Sequence, residues 1–337
     1  MAERPPLLIG EHASMDRLRH RIEQVASTPL PVLIIGETGT GKEVAARQVH
    51  HLSGRRGPFV AVDCGALSPS LVEAELFGYE RGAFTGANQR REGLVHAARG
   101  GTFFLDEVGE LTLEAQTRLL RLLEQGTYRP LGAETERTSD IRVVAATWRE
   151  LDEGIEQGTF RRDLYHRLAV VELRLPPLRD RQEDISALLE HFLAQSAAQT
   201  GRSVPRLDAR LRAWLEDWPW PGNVRELRNV VQYIVAMTRG PHASLEDLPP
   251  RLLGERPELA VTPTPDPTAS QAVVRTDLPY MEARRLWLDD FQERYVLALL
   301  REHGGNVSAA ARAADMDRRS IQRILKRADL PADPRES

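Results

Sequence analysis

The chain has 337 residues, 41% hydrophobic and 28% charged, enough for two or three domains with real cores. No apolar run approaches the ~20 residues that span a bilayer, and the N-terminal MAERPPLLIG lacks the basic-then-apolar order of a signal peptide. The single cysteine, Cys64, excludes an internal disulfide and a Cys-based zinc cluster, and a net charge of −4 excludes a uniformly basic nucleic-acid binder. A cytoplasmic protein without a membrane partner is expected.

Residues 30–175 alternate short apolar runs with helical patterns. The runs are VLII (32–35), FVAV (59–62), TFFL (102–105), IRVVAA (141–146) and VVELRL (170–175). Continuous runs of this kind, separated by helices, predict a parallel sheet buried on both faces, hence an α/β domain over 1–180. Residues 181–254 read as helices only, a small second domain. From 255 to 280 the chain is rich in Pro and Thr (RPELAVTPTPDPTAS) and is expected to be a linker. A last all-helical module is expected over 281–337.

The first run opens into VLIIGETGTGKEVAARQVH, in which Gly36-x4-Gly41-Lys42 has the spacing of a P-loop. Gly36, Glu37, Thr38, Gly39, Thr40 and Gly41 are expected to wrap phosphates with backbone N–H groups. Lys42 adds a point charge to the outer phosphates, which makes ATP the expected ligand. Glu43 stands where Ser or Thr usually meets magnesium, so the metal must be held in another way. The third run ends in Asp106-Glu107. A lone Asp-Glu pair is most often a solvated turn. At the C-terminal end of a central strand and downstream of a P-loop, it predicts nucleotide hydrolysis. Asp106 would orient Mg²⁺ and its waters, and Glu107 would polarise the attacking water.

With these motifs stands GYERGAFTGANQR (78–90), which places Phe84 between Gly82 and Gly86 among charged residues. Glycines free the backbone to swing, while Phe84 and Thr85 offer a small adhesive tip. From about Leu7 to Leu330 the chain resembles the AAA+ ATPase activators of sigma-54 RNA polymerase, the bacterial enhancer-binding proteins. ELFGYERGAFTGA carries the most specific likeness. The resemblance implies that Gly82, Ala83, Phe84, Thr85, Gly86 and Ala87 contact sigma-54. It also implies that Ile9 and Gly10, in LIGE, pack near the adenine, and that Arg161 and Arg167, in FRRDLYHR, act in trans on a neighbouring subunit's nucleotide. Arg225, in WPWPGNVREL, would reach the nucleotide from the lid. A trans-acting arginine implies self-association, from a dimer to a hexameric ring. Two positions depart from the family pattern. Asp63 stands where an Asn usually switches the glutamate, and an ionised Asp cannot donate. Trp148 stands where a polar sensor is usual, so that role is expected to shift to Thr147.

Residues 301–327 hold seven Lys/Arg against three acids. NVSAAARAADMDRRSIQRILKR reads as helix-turn-helix, with a first helix from Asn306 and a second that leaves Arg318, Arg319, Ser320, Gln322, Arg323 and Lys326 outward. It resembles the Fis-type module that ends this family, and implies binding of double-stranded DNA at a repeated or palindromic site. No receiver or ligand-sensing domain precedes Leu7, so control in trans, or by a domain outside this chain, is expected. A DNA-processing motor and a repressor using ATP only as a ligand are the competing classes. The first has no use for a flexible Phe-Thr loop, and the second has none for Glu107 or paired arginines.

Overall fold

A computed structural model describes residues 8–149 and 151–253, and beyond these Tyr295, Val296, Leu300, Asn306, Val307, Ala311 and Ala313. Eleven short strands, eleven α-helices and four 3₁₀ turns occur among the described residues. The central sheet uses β1 (Val32–Ile35), β2 (Phe59–Asp63), β5 (Thr102–Asp106), β8 (Arg142–Thr147) and β9 (Val171–Arg174) in the order β2-β5-β8-β1-β9. Every pairing in it is parallel, and each predicted run falls within a residue or so of an observed strand.

Side chains alternate across this sheet, as a period of two requires. Leu33, Phe103, Leu105, Val143 and Ala145 enter one core, with Leu119 of α5 (Leu113–Gln125). Val32, Ile34, Phe104, Val144, Ala146 and Leu173 enter the other, with α1 (Ala13–Ala26) and α2 (Lys42–Leu52). Burial on both faces holds for the central strands but not for the edges. On β2 and β9 most residues are only partly buried or exposed, because an edge strand has a covering neighbour on one side only. Arg142, buried in β8, donates to the carbonyls of Ala26 (2.6 Å) and Val25 (2.8 Å) and so closes the end of α1. Its burial pushes its pKa down to about 10.

Two antiparallel ribbons project from the same body: β3 (Gly78–Tyr79) with β4 (Arg91–Glu92), and β6 (Thr127–Tyr128) with β7 (Arg137–Thr138). A third core, around α8 (Glu183–Thr200), α9 (Ala209–Asp217) and α10 (Asn223–Met237), holds Trp214, Trp218 and Trp220. The helices-only expectation needs one correction there. β10 (Arg206–Leu207) and β11 (His242–Ala243) form a two-residue parallel pair, because the segments entering α9 and leaving α10 meet and satisfy each other's backbone.

Candidate nucleotide site and projecting loop

β1 ends at Ile35, and the loop leaves the sheet edge at Gly36, whose N–H donates to the carbonyl of Thr147 (3.1 Å). Gly39 and Gly41 adopt φ of 84° and 110°, a region other residues avoid. Gly41 caps α2 without any side-chain bond to its first amides. Lys42 is buried; its Nζ donates to the carbonyl of Gly36 (3.0 Å) and to Glu107 Oε1 (3.1 Å). Glu43 points away, paired with Arg47 at 2.7 Å on the exposed face of α2.

β5 delivers the acidic pair. Asp106 accepts from the Glu107 N–H (3.1 Å). Its pKa is raised, first by burial, against the opposing pull of Lys42. Glu107 has φ of 53°, an unusual backbone for a non-glycine residue. That turn swings its carboxylate back over the loop. Oε1 meets Lys42, and Oε2 accepts from the main-chain N–H of Trp148 (3.2 Å). The Trp148 side chain is half exposed, with the Arg149 guanidinium 5.0 Å from its ring centre. Thr147 is buried, and its hydroxyl accepts from the Arg149 N–H (3.0 Å). Asp63 sits opposite Asp106 in the β2–β5 register and accepts from the Gly65 N–H (2.9 Å). Among the described residues it makes no hydrogen bond to Glu107.

The helical part closes the loop from the other side. Gly39 is so close to the 222–225 turn that a Cβ on it would strike the Gly222 carbonyl. The Arg225 N–H donates to the Gly39 carbonyl (3.2 Å), while its side chain is exposed. Ile9 packs on the helical core, and Gly10 leaves no room for a Cβ beside Asp184. Buried Asp184 accepts from the N–H groups of Glu11 (2.6 Å) and His12 (2.9 Å). Trp148, Arg179, Arg181, Asp184 and Asn223 join the site without having been singled out for these contacts. Only Asn223 carries a local sequence signal: PGN (221–223), a turn sequence that presents it with φ of 53°.

Arg161 precedes the short helix α7 (Arg162–Leu168) as its N-cap residue, and Arg167 lies in its last turn. Arg161 pairs with Asp163 (2.6 Å) and Arg167 with Glu124 (3.3 Å). Neither bonds to Lys42, Asp106 or Glu107 within the chain.

The loop closing the β3–β4 ribbon is compact. Gly82 N–H donates to Ala87 O (2.9 Å) and Ala87 N–H to Phe84 O (3.0 Å). Gly82 and Gly86 have φ of 83° and 103°, and a Cβ at either would meet nothing, so conformation rather than space calls for glycine. Ala83 is partly buried and Thr85 exposed; Ala87 is buried. Phe84 is 37% exposed, its edge on Tyr79 with ring centres 5.0 Å apart. Glu80 ties the ribbon to Arg137 of β7 at 2.8 Å.

Of the C-terminal module, Val307 and Ala311 are helical and Ala311 is buried. The proposed DNA-contacting residues 318–326, the linker over 255–280 and most of 281–337 lie outside the described residues.

Residues 8–174 match the family described as the sigma-54 interaction domain, and residues 179–264 match the AAA+ ATPase lid domain. The chain is 39% identical over 329 residues to the regulatory protein AtoC of Escherichia coli, covering 97% of this chain and 68% of AtoC. It is 50% identical over 231 residues to the DNA-binding transcriptional regulator NtrC of Rhizobium meliloti, covering 68% of this chain and 48% of NtrC. A crystal structure of NtrX from Brucella abortus in complex with ATP superposes with a TM-score of 0.70 at 34% identity, covering 96% of this chain and 69% of NtrX. The chain thus spans roughly half to two thirds of the length of these relatives. With a parallel P-loop sheet, a helical lid and these matches, the chain belongs to the AAA+ family of sigma-54-dependent transcriptional activators.

Proposed function

We propose that this protein hydrolyses ATP in a ring of its own copies and uses the energy to move residues 82–87 against sigma-54, remodelling the closed promoter complex into an open one. The observation that carries the reading is one scaffold holding two devices. Lys42, Asp106 and Glu107 converge at the sheet edge, and a glycine-flanked, exposed Phe84 projects from a ribbon on the same body. The proposed organisation is an ATPase part over 1–180, a lid over 181–254, a linker over 255–280 and a DNA-binding module over 281–337 that contacts enhancer DNA through Arg318, Arg319, Ser320, Gln322, Arg323 and Lys326. We assign it to the cytoplasm, where the polymerase is. No helix among the described residues is long and apolar enough to cross a membrane.

Gly36 to Lys42 cradle the phosphates, and Ile9, Gly10 and Arg225 bound the rest of the nucleotide. No cluster of three or more His, Cys, Asp or Glu that could hold a metal occurs among the described residues. Asp106 alone suits Mg²⁺, which keeps several waters and takes other oxygens from substrate phosphates. When bound, that ion neutralises charge on the phosphates. Glu107 polarises water once it leaves Lys42, and Trp148 N–H, with Thr147 and Asp63 near it, sets its resting place. Arg161 and Arg167 serve the adjacent subunit after exchanging Asp163 and Glu124 for phosphate oxygens.

Work requires that the loop bind its partner differently in the two nucleotide states. Light scattering with ADP–aluminium fluoride and with ADP, in the presence of sigma-54, tests this. A ring that captures sigma-54 only with the transition-state mimic is expected. Equal capture with both nucleotides would sink the reading.

A further inference from the structure

Four consecutive residues of the phosphate loop are each held by the helical part. Glu37 accepts from both Arg179 Nη atoms (2.6 and 2.8 Å) and from Asn223 Nδ2 (3.1 Å). The Thr38 carbonyl accepts from Asn223 Nδ2 (3.2 Å). The Gly39 carbonyl accepts from the Arg225 N–H (3.2 Å) and the Thr40 carbonyl from Arg181 Nη2 (3.1 Å). Asn223 is itself fixed, because its Oδ1 accepts from the Leu178 N–H (2.7 Å) and the residue is fully buried.

In a trans peptide the carbonyl of one residue and the N–H of the next point in opposite directions. Pulling the carbonyls of Thr38 and Thr40 toward the lid therefore turns the amides of Gly39 and Gly41 away from it. Those two amides find no acceptor among the described residues. They are the groups a P-loop offers to phosphate. From this we infer that the lid, with the 178–180 turn packed on it, acts as a template for the phosphate loop: Asn223, Arg181 and Arg179 are positioning residues that set phosphate affinity without touching phosphate. The inference rests on reading residues 36–42 as a phosphate site. It adds that a lid movement would reach the phosphates through the loop's own peptide planes. Arg181 also donates to the Met15 sulfur (3.2 Å) and lies 3.8 Å from Asp184, which holds the 11–12 backbone. One arginine therefore joins the N-terminal segment, loop and lid.

The test uses the full chain and a fluorescent ADP displaced by unlabelled ADP, pyrophosphate or adenosine. Asn223→Gly keeps the positive φ and removes the bonds to Glu37, Thr38 and Leu178. Arg179→Ala removes only an exposed partner of Glu37, so it reports even where the buried variant folds poorly. In either variant, affinity for ADP and pyrophosphate is expected to fall about tenfold, with adenosine displacement unchanged. An equal loss for adenosine would assign these contacts to general integrity or to the base pocket, and unchanged ADP affinity in both variants would show that the loop needs no template. Either result overturns the inference. Failure of the wild-type chain to bind the fluorescent ADP would instead remove the nucleotide reading on which it stands.

Discussion

Glu107 Oε1 and Lys42 Nζ lie 3.1 Å apart, with both side chains largely withdrawn from solvent. The residue proposed to activate water thus neutralises the cation proposed to receive phosphate. On the proposed function, nucleotide phosphate competes with Glu107 for Lys42, and its binding frees the carboxylate.

Glu107→Gln should therefore do two things. Turnover should fall about a hundredfold or more, the usual weight of a general base. ADP should bind roughly fivefold more tightly, because Lys42 is no longer occupied by a full negative charge. Calorimetry of ADP binding checks the second effect. Unchanged affinity would mean that the pair does not compete with phosphate.

Phe84→Ala should separate the two devices. The ring meets Tyr79 edge-on and is partly exposed, so stability should change by no more than about 1–2 kcal/mol. ATP turnover should persist while sigma-54-dependent open-complex formation is lost. Transcription at the wild-type level would exclude the loop as the working tip.

Arg161 pairs within its own chain with Asp163, whose pKa is held low by that hydrogen bond. A role toward a neighbour predicts complementation. Arg161→Ala and Glu107→Gln chains are each expected to be inactive alone. Mixed in equal amounts, they should recover roughly a quarter of wild-type turnover, because about that share of interfaces pairs an intact glutamate with an intact arginine. No recovery in a mixture shown to co-assemble would place Arg161 in its own site.

Burial raises the Asp106 pKa. The folded state then holds this proton more tightly than the unfolded state. At neutral pH the charged carboxylate costs stability, and the cost disappears as pH falls below the ordinary carboxylate range, where both states are protonated. Without divalent cations, Asp106→Asn should raise the Tm at pH 7. The gain should shrink toward acid pH. A gain independent of pH would have another origin.

The sequence by itself determined the five strands of the central sheet, the phosphate loop and the projecting loop. Each is a local pattern: VLII before glycines, TFFL before Asp106-Glu107, Phe84 between two glycines. Buried runs and glycines with positive φ constrain only their neighbours, so they can be read residue by residue. Tertiary structure decided what those groups face. That Trp148 supplies a main-chain N–H to Glu107, although its side chain cannot accept a bond, depends on how β5 and β8 lie together. That Arg179, Arg181, Asn223 and Arg225 hold residues 37–40 joins segments more than 130 positions apart. Hydrogen bonds across such separations are fixed by packing of the sheet and the helical core, and a chain pattern carries no trace of the direction in which a distant carbonyl points.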